Sequence, residues 1–124
     1  MKKSYTDLEQ SKKLAEILPL ETADMSYTLD FNSEKYYIST TSYKSWVVPK
    51  YAESYKGLNQ VLPCWSLAAL LNILLCPSLH ETFGGWRCDS YNKEGTSYIL
   101  GKPSNNPVDT CVDMIFTLKE KNLL

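Results

Sequence analysis

Three groups of side chains could do chemistry in this sequence. Cys64 and Trp65 open the run PCWSLAALLNILLCP, residues 63–77, which reads as a helix. A thiol at a helix N-terminus is acidified, and its thiolate is the reactive form. A thiolate nucleophile also needs a histidine within hydrogen-bond reach, and His80 is the only one in the chain. It follows the far end of that helix, roughly 18 Å away for a dozen residues. The few residues between cannot bring it back, so Cys64 reads as a buried structural thiol and His80 as a loop residue. Asp109 and Asp113 stand four apart at the start of the last helix. They could share a divalent ion, but compensation of the helix dipole explains them without one, and no third oxygen ligand stands at motif spacing. No metal site and no cofactor are expected.

The third group is a stretch, residues 36–56, that interleaves rings and lysines: Tyr36, Tyr37, Tyr43, Lys44, Trp46, Lys50, Tyr51, Tyr55 and Lys56. Aromatic faces stack on bases while lysines meet phosphates in single-stranded nucleic-acid binders. Tyrosine and tryptophan also dominate protein contact surfaces, and in sheets they serve as ordinary half-buried residues. Tyr43, Lys44, Trp46, Lys50 and Tyr51 are the candidate binding residues, for a protein partner first and for nucleic acid second. Gly84 and Gly85 lack the further glycines of a phosphate loop.

The bulk numbers constrain the scaffold. A chain of 124 residues is one domain by length, spanning 1–124, and buries roughly two-thirds of its unfolded surface. Thirteen basic residues against 14 acidic ones argue against a general nucleic-acid binder. The charge is uneven. Residues 1–34 hold four lysines and seven acids (net −3), residues 35–57 four lysines and one acid (net +3), and residues 58–124 five basic and six acidic residues (net −1). No apolar region follows the basic start, so no secretory signal is expected. The 63–77 run is shorter than the ~20 residues of a membrane span. A cytoplasmic protein without a membrane role follows. In that setting Cys64, Cys76, Cys88 and Cys111 stay reduced, although an even number of cysteines permits disulfides in three connectivities.

The periodicities predict the elements that position these groups. Thr6 as N-cap and Glu9 three residues on predict a helix over residues 7–18, ended by Pro19. Residues 26–31 alternate as a strand, with a turn at 32–35 and a returning strand over 36–41. A short strand is expected at 46–48, and 50–60 is ambiguous. The 63–77 helix follows, with Ser66 and Asn72 about 120° apart, so it has no polar face and must be buried on every side. Residues 78–83 read as a connection. Residues 86–91 and 96–100 form a second hairpin about Asn92-Lys93-Glu94-Gly95. Asn106 as N-cap, Pro107 at the first position and the apolar stripe Val108, Cys111, Val112, Ile115 and Leu118 predict the last helix. The fold class is therefore α+β: three helices and two antiparallel hairpins in the order α-β-β-α-β-β-α. The hairpins join in one sheet, and the central helix is buried.

Two resemblances bear on function. PCWSLAA resembles the nucleophile segment of papain-type cysteine peptidases, whose histidine lies far downstream, where this chain has none. SKKLAEILPLETADM (11–25), LPCWSLAALLNIL (62–74) and NPVDTCVDMIFTLKEKNLL (106–124) together resemble a group of small uncharacterised proteins of prophages and other mobile elements of gut anaerobic bacteria. That group has no assigned activity, so the resemblance implies a small cytosolic bacterial or phage protein and no catalytic residues. The sequence thus points to a non-enzymatic interaction protein that binds a protein partner or a second copy of itself as a homodimer. A single-stranded nucleic-acid binder is the alternative, and a hydrolase at Cys64 the least supported reading.

Overall fold

Capping chemistry sets the first element. In the computed structural model, which describes residues 3–30, 32–41 and 61–124, helix α1 spans Leu8–Ala15. Its N-cap is Asp7, not Thr6. Asp7 Oδ1 accepts the Gln10 N–H at 2.8 Å while Gln10 Oε1 accepts the Asp7 N–H at 3.1 Å, a reciprocal capping box. Thr6 is drawn inward instead. Its hydroxyl accepts the Trp65 N–H at 3.1 Å and lies 2.7 Å from Ser11 Oγ. A 3-10 turn, Leu20–Thr22, follows Pro19.

Strand β1 (Met25–Asp30) pairs antiparallel with β2 (Lys35–Ser39), and on its other side with β3 (Val61–Cys64). The first hairpin is as the alternation predicts. The third strand is a correction. Pro63 and Cys64 do not begin a helix but pair with Ser26 and Met25. A proline is tolerated there because β3 is an edge strand of the order β2-β1-β3. Helix α2 is only Leu67–Ile73. Leu70 is its buried residue, with Leu74 buried just past its end, whereas Ala68 and Asn72 are exposed. Burial on every side is not what is found, because the apolar residues flanking the helix are used in strands.

Strand β4 (Leu75–Thr82) takes the end of the expected helix and most of the residues read as a connection, and pairs with β5 (Gly85–Tyr91); β6 (Tyr98–Ile99) closes the order β4-β5-β6. The two hairpins therefore belong to separate three-stranded antiparallel sheets, not one, each holding three strands where the hairpins supplied two. Helix α3 (Pro107–Glu120) is as expected, with Asn106 Oδ1 accepting the Asp109 N–H at 2.9 Å. The fold is thus α+β, with three helices and two sheets among the described residues.

Contacts divide the chain into two compact units, Thr6–Ser66 and Met1–Tyr5 with Leu67–Leu124. The first has a core of Leu14, Leu18, Ala23, Tyr27, Cys64 and Trp65. There the Trp65 indole donates to Thr22 Oγ1 at 2.9 Å, and the Tyr27 hydroxyl to the Thr6 carbonyl at 2.7 Å. Burying the polar tips of these rings demands such partners. In the second unit α3 packs on β5 and α2, burying Val108, Cys111, Val112, Met114, Ile115 and Leu118.

Candidate recognition face

Strand parity builds the candidate site. On β5, Cys88 is buried against Thr110 of α3, whose hydroxyl accepts its N–H at 3.0 Å. Arg87, Asp89 and Tyr91 therefore share the opposite parity. Their cross-strand partners on β4 are His80, Ser78 and Leu75, and Tyr91 is paired with Tyr98 on β6. Leu75 and Ser78 are three apart, which would put them on opposite faces of a regular strand. A bulge between them, with Cys76 in the left-handed region at φ 47°, absorbs the extra residue and restores the shared face.

This face has two ends. At one, Leu75, Tyr91 and Tyr98 form a row across all three strands and remain 41%, 37% and 43% exposed. The two rings lie 4.7 Å apart between centroids at a tilt of 60°, a favourable aromatic pairing. At the other end Asp89 is buried. Its Oδ2 accepts from Arg87 Nη2 at 3.1 Å, and its Oδ1 accepts the Gly101 N–H at 2.9 Å. Arg87 Nε lies 3.1 Å from Oδ1 but is too bent to donate to it. His80 Nε2 stands 4.0 Å from Asp89 Oδ2, and its Nδ1 lies 3.5 Å from Ser78 Oγ.

Serine, histidine and aspartate on neighbouring strands invite comparison with a nucleophilic triad. The distances do not match one. Both exceed the 2.6–3.2 Å or so that proton transfer uses, and the Asp89 carboxylate is already neutralised by Arg87. The group is a charge-balanced polar end to an exposed, mainly apolar row.

The residues singled out from sequence fall elsewhere. Tyr43, Lys44, Trp46, Lys50 and Tyr51 lie outside the described residues, as do the strand expected at 46–48 and the ambiguous 50–60 stretch. Cys64 closes a strand, so it has no helix N-terminus to acidify it. Burial pushes its thiol above the ordinary value, outweighing hydrogen bonds from Thr6 and Ser11, which is the reverse of nucleophile activation. Asp109 is ion-paired to Lys3 at 2.7 Å and bonded to Asn106 Nδ2 at 2.8 Å, and Asp113 Oδ2 accepts from Ser104 Oγ at 3.3 Å. Among the described residues no cluster of three metal-ligating side chains forms, and no helix is long and apolar enough to cross a membrane.

Sequence reasoning missed Leu75, Ser78, Arg87, Asp89, Tyr91 and Tyr98, and weighed His80 only as a partner for Cys64. The signal is the polar alternation Ser78, His80 and Arg87, Asp89, Tyr91, which the reading of 78–83 as a connection hides. No protein family, curated protein or solved structure matches the chain.

Proposed function

We propose that this chain is a small non-enzymatic interaction protein of bacterial or phage origin, acting in the cytosol, which docks a protein partner on the β4-β5-β6 face. The observation that carries this reading is the exposed row Leu75, Tyr91 and Tyr98 beside a neutralised arginine. Tyrosine and arginine are enriched where proteins touch, and a neutral apolar row gains most from being covered. Phosphate binding draws its strength from uncompensated positive charge. Arg87 is matched by Asp89, which favours a protein over a nucleic acid on this face.

Capture from the native host with the full chain as bait tests the proposal. A partner retained by the wild type and released by the Tyr91→Asp/Tyr98→Asp double variant is the expected result, and self-association lost in the same variant satisfies it equally. Identical retained proteins with both baits, and no self-association of either, would refute it. Salt-sensitive binding of short oligonucleotides by anisotropy would transfer the face to the nucleic-acid reading.

A further inference from the structure

Strand β4 is an outer strand of its sheet, in the order β4-β5-β6. The bonds made by β5 show which backbone groups of β4 face outwards. Trp86 gives its N–H to the Ser104 carbonyl and takes the Ser104 N–H on its own, both at 2.8 Å, and the Cys88 N–H goes to Thr110. Trp86 and Cys88 therefore turn their backbone groups away from β4. Their antiparallel partners, Glu81 and Leu79, occupy the non-hydrogen-bonded pairs of the ladder, so the N–H and C=O of each point to the open side. Among the described residues no backbone group bonds to them there. The edge is bounded at both ends. On one side stands the bulge, where Pro77 has no N–H to offer, and on the other the turn that follows the Thr82–Gly85 pair. Ser78–Thr82 remains, with His80 at its centre and one outward-facing residue on each side of it.

We propose that this edge pairs antiparallel with the same edge of a second copy, about a two-fold axis between the two His80 residues, so that two three-stranded sheets become one of six strands. The register centred on His80 matches all four outward groups. Leu79 of each copy exchanges both backbone bonds with Glu81 of the other, four bonds in all. Centring on Leu79 instead sets Glu81 against Pro77, which cannot donate. Centring on Glu81 sets Leu79 against Phe83 in the turn and brings two like charges directly opposite. An unrelated extended segment would meet the same groups without this symmetry, and a self-complementary edge is what a two-fold dimer requires. Continued by one residue pair, the register sets the Phe83 turn of each copy, where the ring is fully exposed, beside Pro77 of the other. This contact uses the edge and not the face carrying Tyr91 and Tyr98, and it forms whatever that face binds.

Sedimentation equilibrium of the full chain over a concentration series tests the contact. The wild type should approach twice the monomer mass, and Glu81→Pro should stay at the monomer mass throughout. The Glu81 N–H faces away from β5, so proline there leaves the β4-β5 ladder whole, and the circular dichroism of the variant should match wild type. The Tyr91→Asp/Tyr98→Asp double variant should still dimerise. The register is read by adding one cysteine to a chain carrying Cys76→Ser and oxidising with diamide. His80→Cys should give a dimer that dithiothreitol reverses, because directly opposed residues have the short Cα separation a disulfide needs. Ser78→Cys, offset by four residues from its mate and so roughly 14 Å along the strand, should give none. If Glu81→Pro fails to fold, the two cysteine variants decide. A wild type at the monomer mass at every concentration, a dimer that persists in folded Glu81→Pro, a dimer lost in the double tyrosine variant, or equal cross-linking through the two cysteines would overturn the proposal.

Discussion

Removing the Asp89 carboxylate should destabilise the chain in two separable steps. Asp89→Ala deletes the acceptor of both the Gly101 N–H and Arg87 Nη2. A part-buried backbone N–H left without a partner costs about 1–3 kcal/mol. The arginine side chain is 32% exposed, so it can turn to water, and its loss is discounted to about 0.5–1 kcal/mol. The sum is about 3 kcal/mol. Asp89→Asn keeps an oxygen for Gly101 and loses only the charge, so about 1 kcal/mol is expected. Urea denaturation followed by circular dichroism, read as the shift in midpoint at constant slope, measures both. The ordering is the content of the prediction. If the two variants are equally destabilised, or if Asp89→Ala lies within about 0.5 kcal/mol of wild type, the carboxylate does not organise this end of the face as described.

Three further outcomes follow from the same geometry. Cys64 has a folded-state pKa raised above its ordinary 9.0, so the folded state holds its proton longer than the unfolded one. The stability this contributes is present below the unfolded pKa and is lost as pH climbs from there towards the folded pKa. Melting temperature should therefore fall above about pH 9, and Cys64→Ala should flatten that slope. Native titration with an aromatic disulfide should show one fast thiol, Cys76, and three slow ones, because Cys64, Cys88 and Cys111 are buried. Three fast thiols would contradict the packing. Gly101→Ala would drive a methyl into the Cys88 carbonyl, whereas Gly84→Ala meets nothing nearer than Pro103 Cγ at 3.4 Å. The first should cost more than about 2 kcal/mol and the second under about 0.5 kcal/mol by the same urea assay.

What could be read from the sequence was local. Asn106 and Pro107 mark a helix start by two mechanisms at once, and the stripe from Val108 to Leu118 repeats for more than two turns, so α3 was plain. The turn at Asn92–Gly95 was equally clear, since Asn92 Oδ1 accepts the N–H groups of Thr96 and Ser97. The central run misled because a short apolar stretch has the same composition in a buried helix and in a buried strand. Its prolines looked like helix boundaries, yet Pro63 lies on an edge strand and Pro77 in a bulge. Thr6 and Asp7 are both good caps one residue apart. What separates them is a long-range contact, the Trp65 N–H on the Thr6 hydroxyl, which no local pattern encodes. The candidate face is non-local for the same reason, as its residues come from three strands and acquire a common side only through pairing and one bulge.

Hydroxyl-radical footprinting of the full chain, free and in the captured complex, puts the proposed docking face to the most direct trial. Tyr91 and Tyr98 should oxidise readily in the free protein and become protected together when a partner is bound, while exposed Phe83 at the hairpin tip serves as an internal reference. Equal oxidation of both tyrosines in the two states, with protection appearing on another surface, would contradict the account.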